Sequence, residues 1–234
     1  MGLNIMAGAG AAMDAITAIS VVIPALNAAA RLGGTLAALG PGPEVIVVDG
    51  GSTDETAAIA AAAGARVLAA PRGRGSQIVA GVAAATRPWL LILHADTRLG
   101  PGWRAAAAAH QAHPEQAGWF RFALDSRDPR ARRLERMVAW RSRVLGLPYG
   151  DQGLLLHRDL LRATGGIRTL PLMEDVDLVR RLGRARLRAL PADAVTSAER
   201  WERDGYLRRS ARNLLCLSLW FAGLPPGLIR RLYG

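Results

Sequence analysis

Three short runs, Ile19 to Ile23, Glu44 to Asp49 and Trp89 to Leu93, are continuously apolar and rich in β-branched residues, and they constrain this chain more than any other feature. A strand with one wet face alternates apolar and polar residues, whereas one that is apolar throughout must be covered on both faces, as in a parallel sheet between helices. Helical patterns at Ala28 to Leu39, Asp54 to Ala63 and Gln77 to Ala85 separate the runs, with a further short strand at Arg66 to Ala69. Strand, helix and strand in repetition predict a Rossmann-like α/β fold, a mainly parallel sheet flanked by helices. The second half reads as helix Gly102 to His113, strand Trp119 to Leu124, helix Pro129 to Leu145, a glycine-bounded loop at Gly150 to Gly153 before a short strand, and helices near Arg158 and Glu174.

No linker or repeat interrupts the pattern, so residues 18–234 read as one domain behind a flexible leader of residues 1–17. The leader lacks a basic n-region, which argues against a secretory signal, and Met6 stands where myristoylation of Gly2 would need Ser or Thr. Cys216, alone in an apolar run, suits a reducing, cytoplasmic setting. The net charge of +11 rests entirely on arginine, because the chain has no lysine. Such a surface attracts nucleotide diphosphates, nucleic acid and acidic lipid alike, so charge does not choose among them. Trp119, Trp140 and Trp201 are scattered through the basic regions without the pattern of a stacking platform, which disfavours nucleic acid as partner.

Ligands of open α/β sheets bind beyond the carboxyl ends of the strands, so Pro24 to Asn27, Asp49 to Asp54 and His94 to Thr97 should converge on one crevice. In "VVDGGSTDET", Gly50 and Gly51 allow a tight turn and Ser52 or Thr53 can cap the helix that Asp54 and Glu55 begin; Asp49 either serves that turn or accepts from a nucleobase N–H. No Gly-x-Gly-x-x-Gly follows the first strand, which excludes a dinucleotide fingerprint, and there is no P-loop. In "LLILHADT", His94 and Asp96 project to one side of the strand. A lone carboxylate can hold Mg²⁺ when phosphates and waters complete the octahedron. The imidazole can contact the ligand, join a Mn²⁺ shell, or close the strand end by a hydrogen bond. His110 and His113 share a helix face without an acid partner and read as solvated. Glu174 and Asp175 in "MEDVDL" stand at a helix start, where acids complement the helix dipole, with Asp177 facing elsewhere. The glycines of "YGDQG" make a plain turn or a close approach to ligand, and Arg200 with Trp201 an interfacial pair or a sugar-stacking wall.

In this order and spacing, "SVVIPALN", "EVIVVDGGSTDET", "LLILHADT", "GDQG" and "MEDVDL" resemble family 2 glycosyltransferases with a GT-A fold, over about Ile19 to Trp201. The likeness is greatest to a small bacterial subgroup with a Gly-Asp-Gln-Gly loop, an Arg-Trp after the last strands, and His-Ala-Asp where many members have Asp-x-Asp; Val79 departs from the asparagine expected there. The resemblance implies a donor-binding half at about 18–100 and an acceptor-binding half at about 101–234. It also implies inverting transfer of a sugar from a nucleotide diphosphate sugar, commonly a UDP-sugar, to an acceptor hydroxyl. By carry-over, Pro24, Leu26 and Asn27 border the nucleotide, Asp49 meets the base with Asp54 nearby, and Arg74, Gln77 and His94 help frame the donor. Asp96 would hold Mg²⁺ or Mn²⁺, Asp175 would be the base with Glu174 as alternative, and Asp151, Gln152, Arg200 and Trp201 would face the acceptor side. A sugar nucleotidyltransferase is the rival enzyme, but "PALNAAARLGG" lacks its glycine-rich phosphate loop; a catalytically inactive nucleotide-sugar-binding protein is the rival binder.

The C-terminal "NLLCLSLWFAGLPPGLIRRLYG" is too short in its apolar core to span a bilayer and reads as a packed helix. Its flanking arginines also suit an interfacial segment at the inner face of a membrane, where a lipid-linked acceptor would lie.

Overall fold

The computed structural model describes residues 14–233. Among them eight strands form one mixed sheet in the order β3-β2-β1-β4-β7-β6-β8-β5. Strands β1 (Ile19–Ala25), β2 (Glu44–Asp49), β3 (Arg66–Ala69) and β4 (Trp89–Ile92) are parallel neighbours. Their crossovers are α1 (Ala29–Leu39), α2 (Thr56–Ala62) and α3 (Arg74–Ala84). Side chains alternate across a strand, and here alternate residues enter two separate cores. Val21, Ile23, Val47 and Leu91 pack into one, Val22, Ile46, Val48 and Leu90 into the other. That double coverage is why the runs carry no polar alternation.

The remaining elements are β5 (Thr97–Leu99), α4 (Trp103–His110), β6 (Ala117–Leu124), α5 (Pro129–Val144), β7 (Leu154–His157), α6 (Arg158–Ala163), α7 (Glu174–Leu182), β8 (Leu187–Thr196), α8 (Glu199–Asp204), α9 (Tyr206–Phe221) and α10 (Pro226–Tyr233). A 3₁₀ turn, Gly150–Gln152, precedes β7. β7 lies antiparallel between β4 and β6, β8 runs parallel to β6, and β5 closes the edge antiparallel to β8. The observed fold is therefore the helix-flanked α/β sheet expected, with an antiparallel half added to the parallel one.

Three local expectations change. The sequence reading names no strand at 187–196, where β8 runs; Pro191 cannot donate to a ladder, and the chain accommodates it with a bulge. Leu190 pairs with Phe120 and Asp193 with Arg121, so Pro191 and Ala192 fall in the irregularity. His110, expected in solvent, is buried against the edge of Trp89 with its Nε2 3.2 Å from Gln116 O, and burial lowers its pKa; only His113 remains part-exposed. Residues 14–17 form a helical turn with Ile16 in the core, so this part of the expected leader packs with the domain, while residues 1–13 of that leader lie outside the described residues.

α3 is held against β1 and β2 by a glycine. A Cβ built on Gly81 would stand 2.4 Å from Val22 Cγ1 and 2.9 Å from Val48 Cγ2, and both valines are fully buried. Gly81→Ala should therefore push α3 off the strand ends and cost about 1–3 kcal/mol of stability, measured as a lowered urea midpoint with unchanged slope.

Candidate active site

The loops after β1 and β2 are laced into a single rim. Gln77 of α3 is buried and its Nε2 donates to Ala25 O and Val48 O, both at 2.7 Å, pinning the two strand ends together. Asn27 adopts a left-handed φ of 49°, which asparagine tolerates better than most residues. Its Oδ1 accepts from Thr53 N at 2.9 Å, and its N–H donates to Ser52 Oγ at 2.9 Å. Asp49 in turn accepts from the Ser52 hydroxyl and from Ser52 N. Asp54 accepts from Ala29 N at 3.1 Å and Thr56 N at 3.0 Å, which ties the start of α1 to that of α2.

Beside this rim opens a cleft of about 520 Å³ lined by Pro24, Leu26, Asn27, Gln77, His94 and Asp96. Arg31, Arg72, Arg74, Arg200 and Arg230 also face it, against the acids Asp96 and Glu199. Arg31 is engaged with Glu199 at 2.6 Å, and the other guanidinium groups leave the cleft cationic. Such a surface recognises phosphate oxygens through forked, charge-assisted hydrogen bonds.

A smaller cavity of about 130 Å³ adjoins the cleft, and Arg74, His94, Asp96 and Arg200 line both spaces. Its other walls include Tyr149, Asp151, Asp175, Trp201 and Arg209. Gly150 makes this junction sterically feasible. A Cβ there would fall 2.5 Å from His94 Nε2 and 3.2 Å from Asp175 Oδ2. The bare backbone instead lets Gly150 N–H donate to Asp175 Oδ2 at 2.7 Å, while Oδ1 accepts from Val176 N at 2.8 Å. One oxygen is held by the 150–152 turn and the other by the start of α7, so the carboxylate has a set direction. Met173, the residue before α7, takes a left-handed φ of 66°, a strained turn that swings the Glu174–Asp175 pair into place.

Burial holds the His94 imidazole well below its usual range, helped by the charges of Arg74 and Arg200, so the ring is neutral at pH 7. Burial likewise pushes Asp151 up to about 6; Asp175 and Asp96 add to the shift and Arg141 and Arg74 oppose it. Its Oδ1 is buried without a hydrogen-bond partner. Burial and then Asp175 raise Glu174, against the pull of Arg74, whose Nη1 lies 3.3 Å away. Tyr149 is pushed up to about 12 by burial, with the Arg141 guanidinium 3.4 Å from its ring centroid.

The structure thus brings Pro24, Leu26, Asn27, Arg74, Gln77, His94, Asp96, Asp151, Asp175, Arg200 and Trp201 to the paired cavities. Four expected site residues stand back from them. Asp49 and Asp54 line neither cavity and bond to the rim. Glu174 is 2% exposed and faces Ile78, Ile92 and Leu178 behind Asp175. Gln152, expected at the acceptor, is fully buried, bonded to Ser142 Oγ at 2.9 Å and Phe120 O at 3.2 Å, and supports the turn from behind. Asp177 faces elsewhere, paired with Arg168 and Arg181. Sequence reading missed Arg31, Arg72 and Arg230 of the cleft and Arg209 and Asn213 of the smaller cavity. Arg72 sits two residues before Arg74 and was open to inference, whereas Arg230 arrives from α10 with no local signal.

Residues 20–166, more than half of the chain, match the family described as "Glycosyl transferase family 2". The chain belongs to that family. Uncharacterized glycosyltransferases of Mycobacterium tuberculosis and Mycobacterium bovis are 45% identical over 86 residues, a segment covering 36% of this chain and 39% of each relative. Among solved structures, glucosyl-3-phosphoglycerate synthase from M. tuberculosis, in complex with Mn²⁺, UDP and glucosyl-3-phosphoglycerate, superposes with a TM-score of 0.54 at 23% identity, over 79% of this chain and 73% of that one. S. aureus TarS 1-349 in complex with UDP gives 0.59 at 17% identity, over 92% and 69%. The mannosyltransferase PcManGT from Pyrobaculum calidifontis, in complex with GDP-Man and Mn²⁺, gives 0.56 at 20% identity, over 76% and 56%. The fold is that of the GT-A glycosyltransferases.

Asp151 offers a test of the cavity's electrostatics. Its folded pKa of about 6 lies above the model-peptide value, so the folded chain binds the extra proton and stability falls as pH rises through about 4 to 6. Asp151→Asn removes this loss: relative to the native chain, the variant should gain about 1–3 kcal/mol at pH 8 and little at pH 4, read from urea unfolding at both pH values.

Proposed function

We propose that this chain transfers a sugar from a nucleotide diphosphate sugar to an acceptor hydroxyl with inversion at the anomeric carbon. The observation that carries this reading is the shared wall: Asp96 and Asp175 both face the smaller cavity, and Asp96 also faces the arginine-rich cleft beside it. The cleft suits the nucleotide diphosphate, with Asp49 at the rim as the expected partner of the base. A UDP-sugar is the donor favoured by the family, and UDP stands in two of the superposed structures.

The residues present fit a divalent cation of a particular kind. Among the described residues no group of three His, Cys, Asp or Glu side chains could hold a metal ion. The Asp96 carboxylate, however, accepts no hydrogen bond from any described residue, so its lone pairs are free for a cation that diphosphate oxygens and water would complete. The neutral His94 imidazole beside it can contact the donor or join a Mn²⁺ shell. When bound, Mg²⁺ or Mn²⁺ would neutralise the charge gathering on the departing diphosphate.

The chain's own groups supply the remaining steps. Arg74 and Arg200 orient the diphosphate at the mouth shared by the two cavities. Asp175, aimed by Gly150 N–H and Val176 N–H, retains a second lone pair on each oxygen and takes the proton of the acceptor hydroxyl. The hydroxyl oxygen bonds to the anomeric carbon as the bond to the diphosphate breaks, its electron pair leaving with the phosphate oxygen. Attack from the face opposite the leaving group inverts the centre without an enzyme-bound sugar. Trp201, stacked on Tyr206 and beneath Arg209, is the proposed wall for the acceptor, with Asp151 at its floor. The site of action is proposed to be cytoplasmic, with a hydroxyl acceptor that is lipid-linked and a membrane contact through the C-terminal segment; nucleic acid is not a partner.

Asp175→Asn should lower turnover by about 10²–10⁴-fold while nucleotide affinity stays near native, because only the proton acceptor is lost. Product formed by the native chain should carry the anomeric configuration opposite to the donor's, read by proton NMR coupling. Retained configuration, or full activity in Asp175→Asn, would overturn the assignment.

A further inference from the structure

Single exposed leucines on a protein surface need no explanation, but an apolar stripe at helical spacing on two packed helices does. α5 and α9 pack through Leu134, Val138 and Tyr206. On the outer side of α5, Met137, Trp140 and Val144 follow one another at i, i+3 and i+7, with Trp140 59% exposed. On α9, Leu207, Leu214 and Phe221 repeat every seven residues, with Leu207 87% and Leu214 64% exposed. Phe221 is partly covered by the Arg180 guanidinium, 4.8 Å from its ring centroid, whereas Leu207, Leu214 and Trp140 remain open.

The exposed charges carried by α5 and α9 themselves have one sign, the nearby Asp128 and Asp204 being paired with arginines. Residues 205–234 contain five arginines and no acidic residue. On α5, Arg133, Arg136 and Arg143 are exposed, and the helix's sole acid, Glu135, is turned inward to Leu124 N and paired with Arg132. A second copy of the chain pairing through this face would set arginine against arginine. Anionic lipid complements it, because guanidinium groups bind phosphate in a forked geometry while Trp, Met and Leu enter the acyl boundary. No helix among the described residues is long and apolar enough to cross a membrane, so the contact would be peripheral.

We propose that the outward stripes of α5 and α9 dock on an anionic lipid bilayer, arginines against lipid phosphate, and bring the mouth of the smaller cavity to the membrane surface. The inner side of α9 supplies Arg209 and Asn213 to that cavity, so docking and ligand share this one helix. This extends the membrane contact of the C-terminal segment to α5 and gives the proposed lipid-linked acceptor a geometric route. Docking itself requires no transfer chemistry.

The test is flotation of the full chain with vesicles of phosphatidylcholine alone or mixed with phosphatidylglycerol. The chain should float with the mixed vesicles, stay behind with pure phosphatidylcholine, and release as salt rises. The double variant Trp140→Glu with Leu214→Glu alters exposed side chains outside both cavities. It should keep native melting and nucleotide binding yet float at least about tenfold less. Absence of flotation, equal flotation with both vesicles, or native-like flotation of the double variant would overturn the proposal. So would a dimer that the variant dissolves in a chain that ignores vesicles, which would assign the face to a second copy. Flotation without any nucleotide binding would keep the docking surface and discard the transferase reading; nucleotide-dependent transfer without flotation would do the reverse.

Discussion

The parallel strands β2-β1-β4 are covered on both faces, so their polar work can be done only where they end. A charge placed midway along such a strand would be buried without water or partner, at a cost of several kcal/mol. Asp49 and the His94–Asp96 pair accordingly stand at or just past carboxyl ends, and the register of β1 with β2 and β4 brings those ends together. Gln77, buried and doubly bonded to Ala25 O and Val48 O, keeps the rim from splaying. The cleft is a consequence of sheet topology before it is a binding site.

The antiparallel half then carries the second set of groups to the same place. β7 pairs with β4, so the 150–152 turn immediately before it lies beside His94. Gly150 converts that proximity into function, for only a residue without a side chain lets the backbone N–H reach Asp175 while the imidazole passes behind. The resulting junction holds three aspartates, 96, 151 and 175, in a setting also faced by Arg74 and Arg200. Asp151, pushed up by burial and then by Asp175 and Asp96, holds its proton to about pH 6. Burial, helped by the charges of Arg74 and Arg200, keeps His94 neutral, so the imidazole adds no further cation to the cleft.

Much of this was legible in the sequence, and the gaps have physical reasons. The parallel strands announced themselves because burial leaves no polar alternation, and two of the three polar clusters after them line one cleft, while Asp49 to Asp54 bonds to its rim. Asp175 rather than Glu174 faces the cavity, as the sequence reading preferred, because the left-handed turn at Met173 sets which of two adjacent acids points outward. β8, unnamed in the sequence reading, carries Pro191, whose cost is absorbed by a bulge that no local propensity reveals. Gln152 was expected at the ligand from the family resemblance of the Gly-Asp-Gln-Gly loop; its burial behind β6 depends on tertiary packing alone. His110 was misjudged for a similar reason, since the Trp89 ring that covers it comes from β4, while its partner Gln116 O lies six residues on in the loop after α4. Arg230, which reaches the cleft from α10, lies beyond any motif.

The central claim is that Asp96 can anchor a cation only together with a nucleotide diphosphate. Titration of Mn²⁺ by isothermal calorimetry, with and without UDP, addresses it directly. The account predicts weak binding to the chain alone and binding at least about tenfold tighter in the presence of UDP, a gain of about 1.4 kcal/mol or more, with UDP affinity rising equally on addition of metal. Tight Mn²⁺ binding without nucleotide, or UDP binding indifferent to the metal, would contradict it.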